Sequence, residues 1–143
     1  MIKFILNGKE VTSNAKGNER LLDVLRNDLS IIGVKCGCKE GECGACSVIL
    51  DGKLANSCMV AIGSVEGSTV TTIEGYSKTE RYKVLDKAYA AFSAVQCGFC
   101  IPGLVLTTTS LVNNKKELSD EEIKREISGH LCRCTGYQKI FNA

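Results

Sequence analysis

The residues Gly33-Val34-Lys35-Cys36-Gly37-Cys38-Lys39-Glu40-Gly41-Glu42-Cys43-Gly44-Ala45-Cys46 decide how this chain is read. Four of its nine cysteines fall in this stretch, interleaved with glycines. A loop that wraps a compact inorganic group needs unusual backbone angles and close approach, and glycine permits both. Working outward, Cys58 follows downstream, then Cys97 and Cys100, then Cys132 and Cys134. The count is odd, and the short apolar start Met-Ile-Lys-Phe-Ile-Leu-Asn-Gly is not a secretory signal. The expected compartment is the cytoplasm, where thiols stay reduced and clustered cysteines imply metal or redox chemistry rather than disulfides.

The remaining composition is that of a folded domain, with 44% hydrophobic and 24% charged residues in 143. A net charge of +2 gives no footprint for nucleic acid or an anionic membrane. No run approaches the roughly 18–20 apolar residues that a membrane helix needs.

The chain changes character near residue 76. Before it, Asn7-Gly8 joins the apolar run Ile2 to Leu6 to Lys9 to Thr12, and Asp51-Gly52 joins Ser47 to Leu50 to Lys53 to Val60. Both are two-residue hairpin signals. Glu19 to Leu29 reads as a helix, with Leu21, Leu22, Leu25 and Leu29 on one stripe, and Thr69 to Ile73 as a further strand. This is a small α+β unit with a mixed sheet on a helix. The polar stretch Glu74 to Glu80 reads as a linker. Beyond it the pattern is helical: Val84, Leu85, Ala88, Phe92 and Val95, then Pro102 in a first turn, then Leu104, Leu106, Leu111 and Val112. Ser119 and Glu122 predict a capping box, with Leu118 and Ile123 as a staple and Ile123, Ile127 and Leu131 as the apolar face. The expected domains are 1–76 and 77–143. Each is small enough to be marginal alone, and the cysteines are the natural staples.

The cysteines sort into two quartets. Cys38-x4-Cys43-x2-Cys46 has the plant-type ferredoxin spacing, with Cys58 as the fourth ligand. Cys97 and Cys100 with Cys132 and Cys134 pair a C-x2-C and a C-x-C at helix ends. Cys36 is left over, because only Cys38 keeps the required gap to Cys43, and it reads as a small buried hydrophobe. Structural zinc is the alternative, since pairs 43/46 and 97/100 could build one Cys₄ site. That site would leave Cys38, Cys58, Cys132 and Cys134 without a purpose. The C-x2-C-x2-C run of a 4Fe–4S ferredoxin is absent, and the single His130 rules out a Rieske centre. His130 itself reads as a surface or cap residue. No nucleotide loop or catalytic triad signature is present, so the chain is expected to carry electrons and leave bond chemistry to a partner. A free-standing ferredoxin-type carrier is the competing reading, although such a carrier has no use for the helical half.

The stretch from Gly33 to Val48 resembles the first cluster motif of the small iron–sulfur subunit of molybdenum hydroxylases, the xanthine dehydrogenase and aldehyde oxidoreductase family. Gln96-Cys97-Gly98-Phe99-Cys100-Ile101-Pro102-Gly103 and Gly129-His130-Leu131-Cys132-Arg133-Cys134-Thr135-Gly136-Tyr137 resemble the second. The resemblance covers nearly the whole chain. It implies a β-grasp, plant-type ferredoxin-like domain followed by a four-helix-bundle domain, each with one 2Fe–2S cluster. It further implies a large partner subunit with a molybdenum–pterin centre and a medium subunit with FAD, in a heterotrimer or a dimer of heterotrimers. By the same resemblance Gln96 and Cys134 lie against the pterin. Ile101 stands where the family usually has Thr, and His130 where it usually has Asn.

Overall fold

The computed structural model of the chain describes residues 1–114 and 117–143. Strands β1 (Ile2–Leu6) and β2 (Lys9–Ser13) form the hairpin expected at Asn7-Gly8, whose φ angles are 51° and 81°. Such a turn matches the twist of the strands it joins. Strands β3 (Ser47–Leu50) and β4 (Lys53–Asn56) form the second hairpin around Asp51-Gly52. Strand β5 (Thr69–Thr71) pairs parallel with β1 and antiparallel with β3, so the sheet order is β2-β1-β5-β3-β4.

Helix α1 (Leu21–Asp23) continues as a wide π turn over Val24–Asp28. It is shorter than the helix expected over 19–29. Arg20 remains extended in a bridge to Ala61, and the Leu29 amide closes the last turn on the Val24 carbonyl at 3.1 Å. The predicted leucine stripe is still the core. Leu21, Leu22 and Leu25 are fully buried with Phe4, Val48 and Val70. Each such side chain contributes about 1.5–3 kcal/mol relative to exposure.

Two strands end earlier than the sequence suggests. Strand β4 stops at Asn56, and Cys58 lies in a 3₁₀ turn (Ser57–Met59) instead of on the hairpin arm. Local side-chain bonds compete with the ladder there: Ser57 Oγ donates to the Cys46 carbonyl at 2.7 Å and Asn56 Nδ2 to the Gly41 carbonyl at 2.9 Å. After β5, Ile73 begins a short helix, α2 (Ile73–Tyr76), within the stretch expected to be a linker. Tyr76 is buried in the second core, so this connection is packed.

Helices α3 (Glu80–Ala91), α4 (Ile101–Asn114), α5 (Asp120–Ile127) and α6 (Gln138–Asn142) complete the chain. Pro102 takes the first turn of α4, and Ser119 and Glu122 make the capping box of α5 as expected. Helix α3 ends before Phe92 and Val95, contrary to their periodicity. Ser93 adopts φ 51°, its amide returns to the Ala90 carbonyl and the Ala94 amide to that of Tyr89, a Schellman closure. Phe92 and Val95 are consequently exposed; Val84, Val112 and Leu131 are exposed as well, and the core is built on Tyr89, Leu104, Leu106 and Ile127.

Strand alternation ties the two cores together. Val48 and Leu50 face the first core, while Ile49, between them, packs with Leu54 against the helices. The helical half therefore lies on the other face of the β3–β4 hairpin, beside the loop that carries Cys38, Cys43 and Cys46. Among the described residues, no helix is long and apolar enough to cross a membrane.

Candidate metal centres

The first centre is the loop between the π turn and β3, closed by the 3₁₀ turn at Cys58. Lys39, Gly41 and Gly44 adopt φ 61°, 79° and 69°, which folds the loop tightly enough to turn amides inward. Cys38 Sγ accepts from the amides of Glu40 (3.3 Å), Glu42 (3.4 Å) and Cys43 (3.4 Å). The Glu40 amide first, then those of Cys43 and Glu42, lower the Cys38 thiol to about 7, because N–H donors favour the anion. The neighbouring Cys43 thiol lowers it further. Cys46 and Cys58 form the second pair. Burial, then contact with Cys46, pushes Cys58 up to about 11, and Cys38 adds to that rise from nearby. Gly37 is required by packing, since a Cβ there would meet Cys43 Sγ at 2.6 Å. Cys36 is half-buried and packs against the first core.

The second centre lies between helix ends. Cys97 and Cys100 precede α4, and Cys132 and Cys134 lie between α5 and α6. All four line one cavity of about 250 Å³ with Phe99, Leu131 and Arg133. The thiols are again paired, Cys100 with Cys132 and Cys97 with Cys134. Burial, then Cys132, pushes Cys100 up to about 12. At Cys132 burial opposes ionisation but is outweighed by the Thr135 hydroxyl and the amides of Thr135 and Cys134, so its thiol is lowered. The neighbouring Cys97 thiol raises Cys134. Of the four, Cys97 and Cys134 are exposed, and so is Gln96, the residue before Cys97.

A buried histidine joins the two centres. His130 is 4% exposed, not the surface residue that its type suggests. Its Nε2 bonds Thr107 Oγ1 on α4, and Nδ1 faces the Gly44 loop without a well-formed hydrogen bond. The ring fits because Gly44 and Gly103 flank it: a Cβ on Gly44 would lie 2.4 Å from Nδ1, and one on Gly103 3.1 Å. Desolvation lowers its pKa to about 4, so the ring is neutral at pH 7. Beside it the Leu131 amide donates to the Cys43 carbonyl at 3.0 Å. The roles of Gly44, Thr107, His130 and Leu131 escape sequence reading. The one available signal was that His130 and Leu131 immediately precede Cys132.

Two quartets, each made of two thiol pairs, suit binuclear iron–sulfur groups, in which each iron takes two thiolates. Among the described residues, no three His, Cys, Asp or Glu side chains form a group that could hold a single metal ion.

Residues 4–73 match the model of the 2Fe–2S iron–sulfur cluster binding domain, and residues 72–143 that of a second [2Fe–2S] binding domain. The chain is 43% identical over 142 residues to the nicotinate dehydrogenase small FeS subunit of Eubacterium barkeri, covering 99% of this chain and 90% of that one. It is 41% identical over 143 residues to the xanthine dehydrogenase iron–sulfur-binding subunit of Escherichia coli O157:H7, covering 99% and 89%. Among solved structures it superposes on quinoline 2-oxidoreductase from Pseudomonas putida 86 with a TM-score of 0.91 at 35% identity, covering 98% of this chain and 86% of that one. With both cluster-binding domain models matched and relatives aligned over nearly their whole length, the chain belongs to the small 2Fe–2S iron–sulfur subunits of the molybdenum hydroxylases, the electron-transfer subunits of these oxidoreductases.

Proposed function

We propose that Cys38, Cys43, Cys46 and Cys58 hold one 2Fe–2S cluster in a β-grasp, ferredoxin-like domain (1–76), and that Cys97, Cys100, Cys132 and Cys134 hold the other in a four-helix-bundle domain (77–143). When bound, such clusters take up one electron each and pass on the pair released at a molybdenum–pterin centre on a large partner subunit toward FAD on a medium one. The observation that carries this reading is the direct contact between the two cysteine loops, where the Leu131 amide meets the Cys43 carbonyl at 3.0 Å. The thiol pairing within each quartet supports it further.

Gln96 and Cys134 form the pterin-facing edge in this reading. Both are exposed, and Val95, Phe99 and Leu131 expose apolar surface around them, as a face covered by a partner does. The assembly is a heterotrimer or a dimer of heterotrimers, in the cytoplasm. The test is Gln96→Ala in the assembled complex. A neutral amide is not a cluster ligand, so iron content stays intact. Its loss removes one or two hydrogen bonds to the pterin, so substrate-driven reduction of the clusters slows while reduction by dithionite is unchanged. Normal substrate-driven reduction in the variant would contradict the pterin-facing assignment.

A further inference from the structure

The segment from Cys132 to Tyr137 closes on itself through three hydrogen bonds. The Cys132 amide donates to the Tyr137 phenol oxygen at 2.9 Å. The Tyr137 amide donates to Thr135 Oγ1 at 3.2 Å. Thr135 Oγ1 in turn lies 3.1 Å from Cys132 Sγ. Tyr137 reaches back because its backbone is left-handed, φ 69°, and its ring is braced by stacking on Phe141 with centroids 6.1 Å apart.

This arrangement fixes the direction of the Thr135 hydroxyl. The Tyr137 amide takes a lone pair of its oxygen. A ligating sulfur is a thiolate with no proton to give, so the hydroxyl is the donor and Sγ the acceptor. A hydroxyl that already accepts a hydrogen bond is polarised into a better donor. The two centres differ here. At Cys38 the sulfur is served by three backbone amides, which side-chain substitution does not remove. At Cys132 part of that service comes from a side chain.

We infer that Thr135, acting through Cys132, is a positioning residue that sets the reduction potential of the cluster in the helical half. Reduction adds negative charge to the cluster and its sulfurs. A hydrogen bond donated to Sγ stabilises that form and raises the potential. The inference rests on the assignment of Cys132 as a ligand.

The test is a redox titration followed by electron paramagnetic resonance on the purified protein with its accompanying subunits. Thr135→Val is expected to keep all iron and to lower the potential of one cluster only. A tenfold change in its one-electron equilibrium, about 59 mV, is the size to look for. Thr135→Ser, which keeps the hydroxyl, is expected to restore the original potential. Two unmoved potentials in Thr135→Val would overturn the inference. So would iron loss in that variant, because the hydroxyl would then hold the cluster instead of tuning it. Cys132→Ser separates the two claims. If it keeps both clusters, the ligand assignment fails. If it loses one while Thr135→Val leaves both potentials unmoved, the assignment stands and the inference about Thr135 fails.

Discussion

The Leu131 amide donates to the Cys43 carbonyl at 3.0 Å, so each partner in this bond is a cysteine of one quartet or the residue next to a cysteine of the other. His130, beside Leu131, is clamped between Gly44 and Gly103 and bonded to Thr107. The two cysteine loops are thus held together by packing as well as by a shared hydrogen bond.

Gly44 is the tightest point of this joint. Gly44→Ala would bring a Cβ to 2.4 Å from His130 Nδ1 and 2.8 Å from the Gly129 carbonyl, at a φ of 69° that favours glycine. Overpacking of this kind costs about 1–3 kcal/mol. Thermal unfolding is expected to move down accordingly, and the magnetic interaction between the two reduced clusters to change. An unchanged midpoint would show that the loops separate freely.

His130→Ala is expected to destabilise the protein by about 2–4 kcal/mol. It empties a buried ring-sized space and leaves the buried Thr107 hydroxyl without its partner. Iron content should stay the same, because His130 is not a ligand in this account. Denaturant unfolding beside an iron assay checks both halves of the statement.

These features mark where sequence reading succeeds and where it stops. The hairpins at Asn7-Gly8 and Asp51-Gly52 and the capping box at Ser119 were legible because each is decided within a few residues. The end of β4 was not, because it depends on Ser57 and Asn56 reaching the carbonyls of Cys46 and Gly41 across the loop. The burial of His130 was not legible either, since its slot is built from Gly44 in one half and Gly103 and Thr107 in the other. Phe92 and Val95 continued a helical period that the Ser93 closure cuts off, a backbone event with no strong residue signal.

Ser119→Ala should cost about 1 kcal/mol, because it removes the hydroxyl that accepts from the Glu122 amide at 3.3 Å. Helix α5 leads directly to His130 and Cys132. Faster amide exchange in α5, with both clusters retained, is the expected result.

Cys36→Ser should keep both clusters, with a small loss of stability from a weakened contact with the first core. Cys43→Ser should lose the N-terminal cluster and keep the other. Loss of a cluster in Cys36→Ser, seen by visible absorption and iron assay, would mean that Cys36 and not Cys38 completes the first quartet.

The central claim is that one short chain carries two adjoining 2Fe–2S clusters on its two cysteine quartets. Iron and acid-labile sulfide per chain, measured together with the electron paramagnetic resonance of the dithionite-reduced protein, test it most directly. The account predicts about four irons and four sulfides per chain, no zinc, and two distinct 2Fe–2S signals. About two irons per chain in fully loaded protein, or zinc in their place, would contradict it.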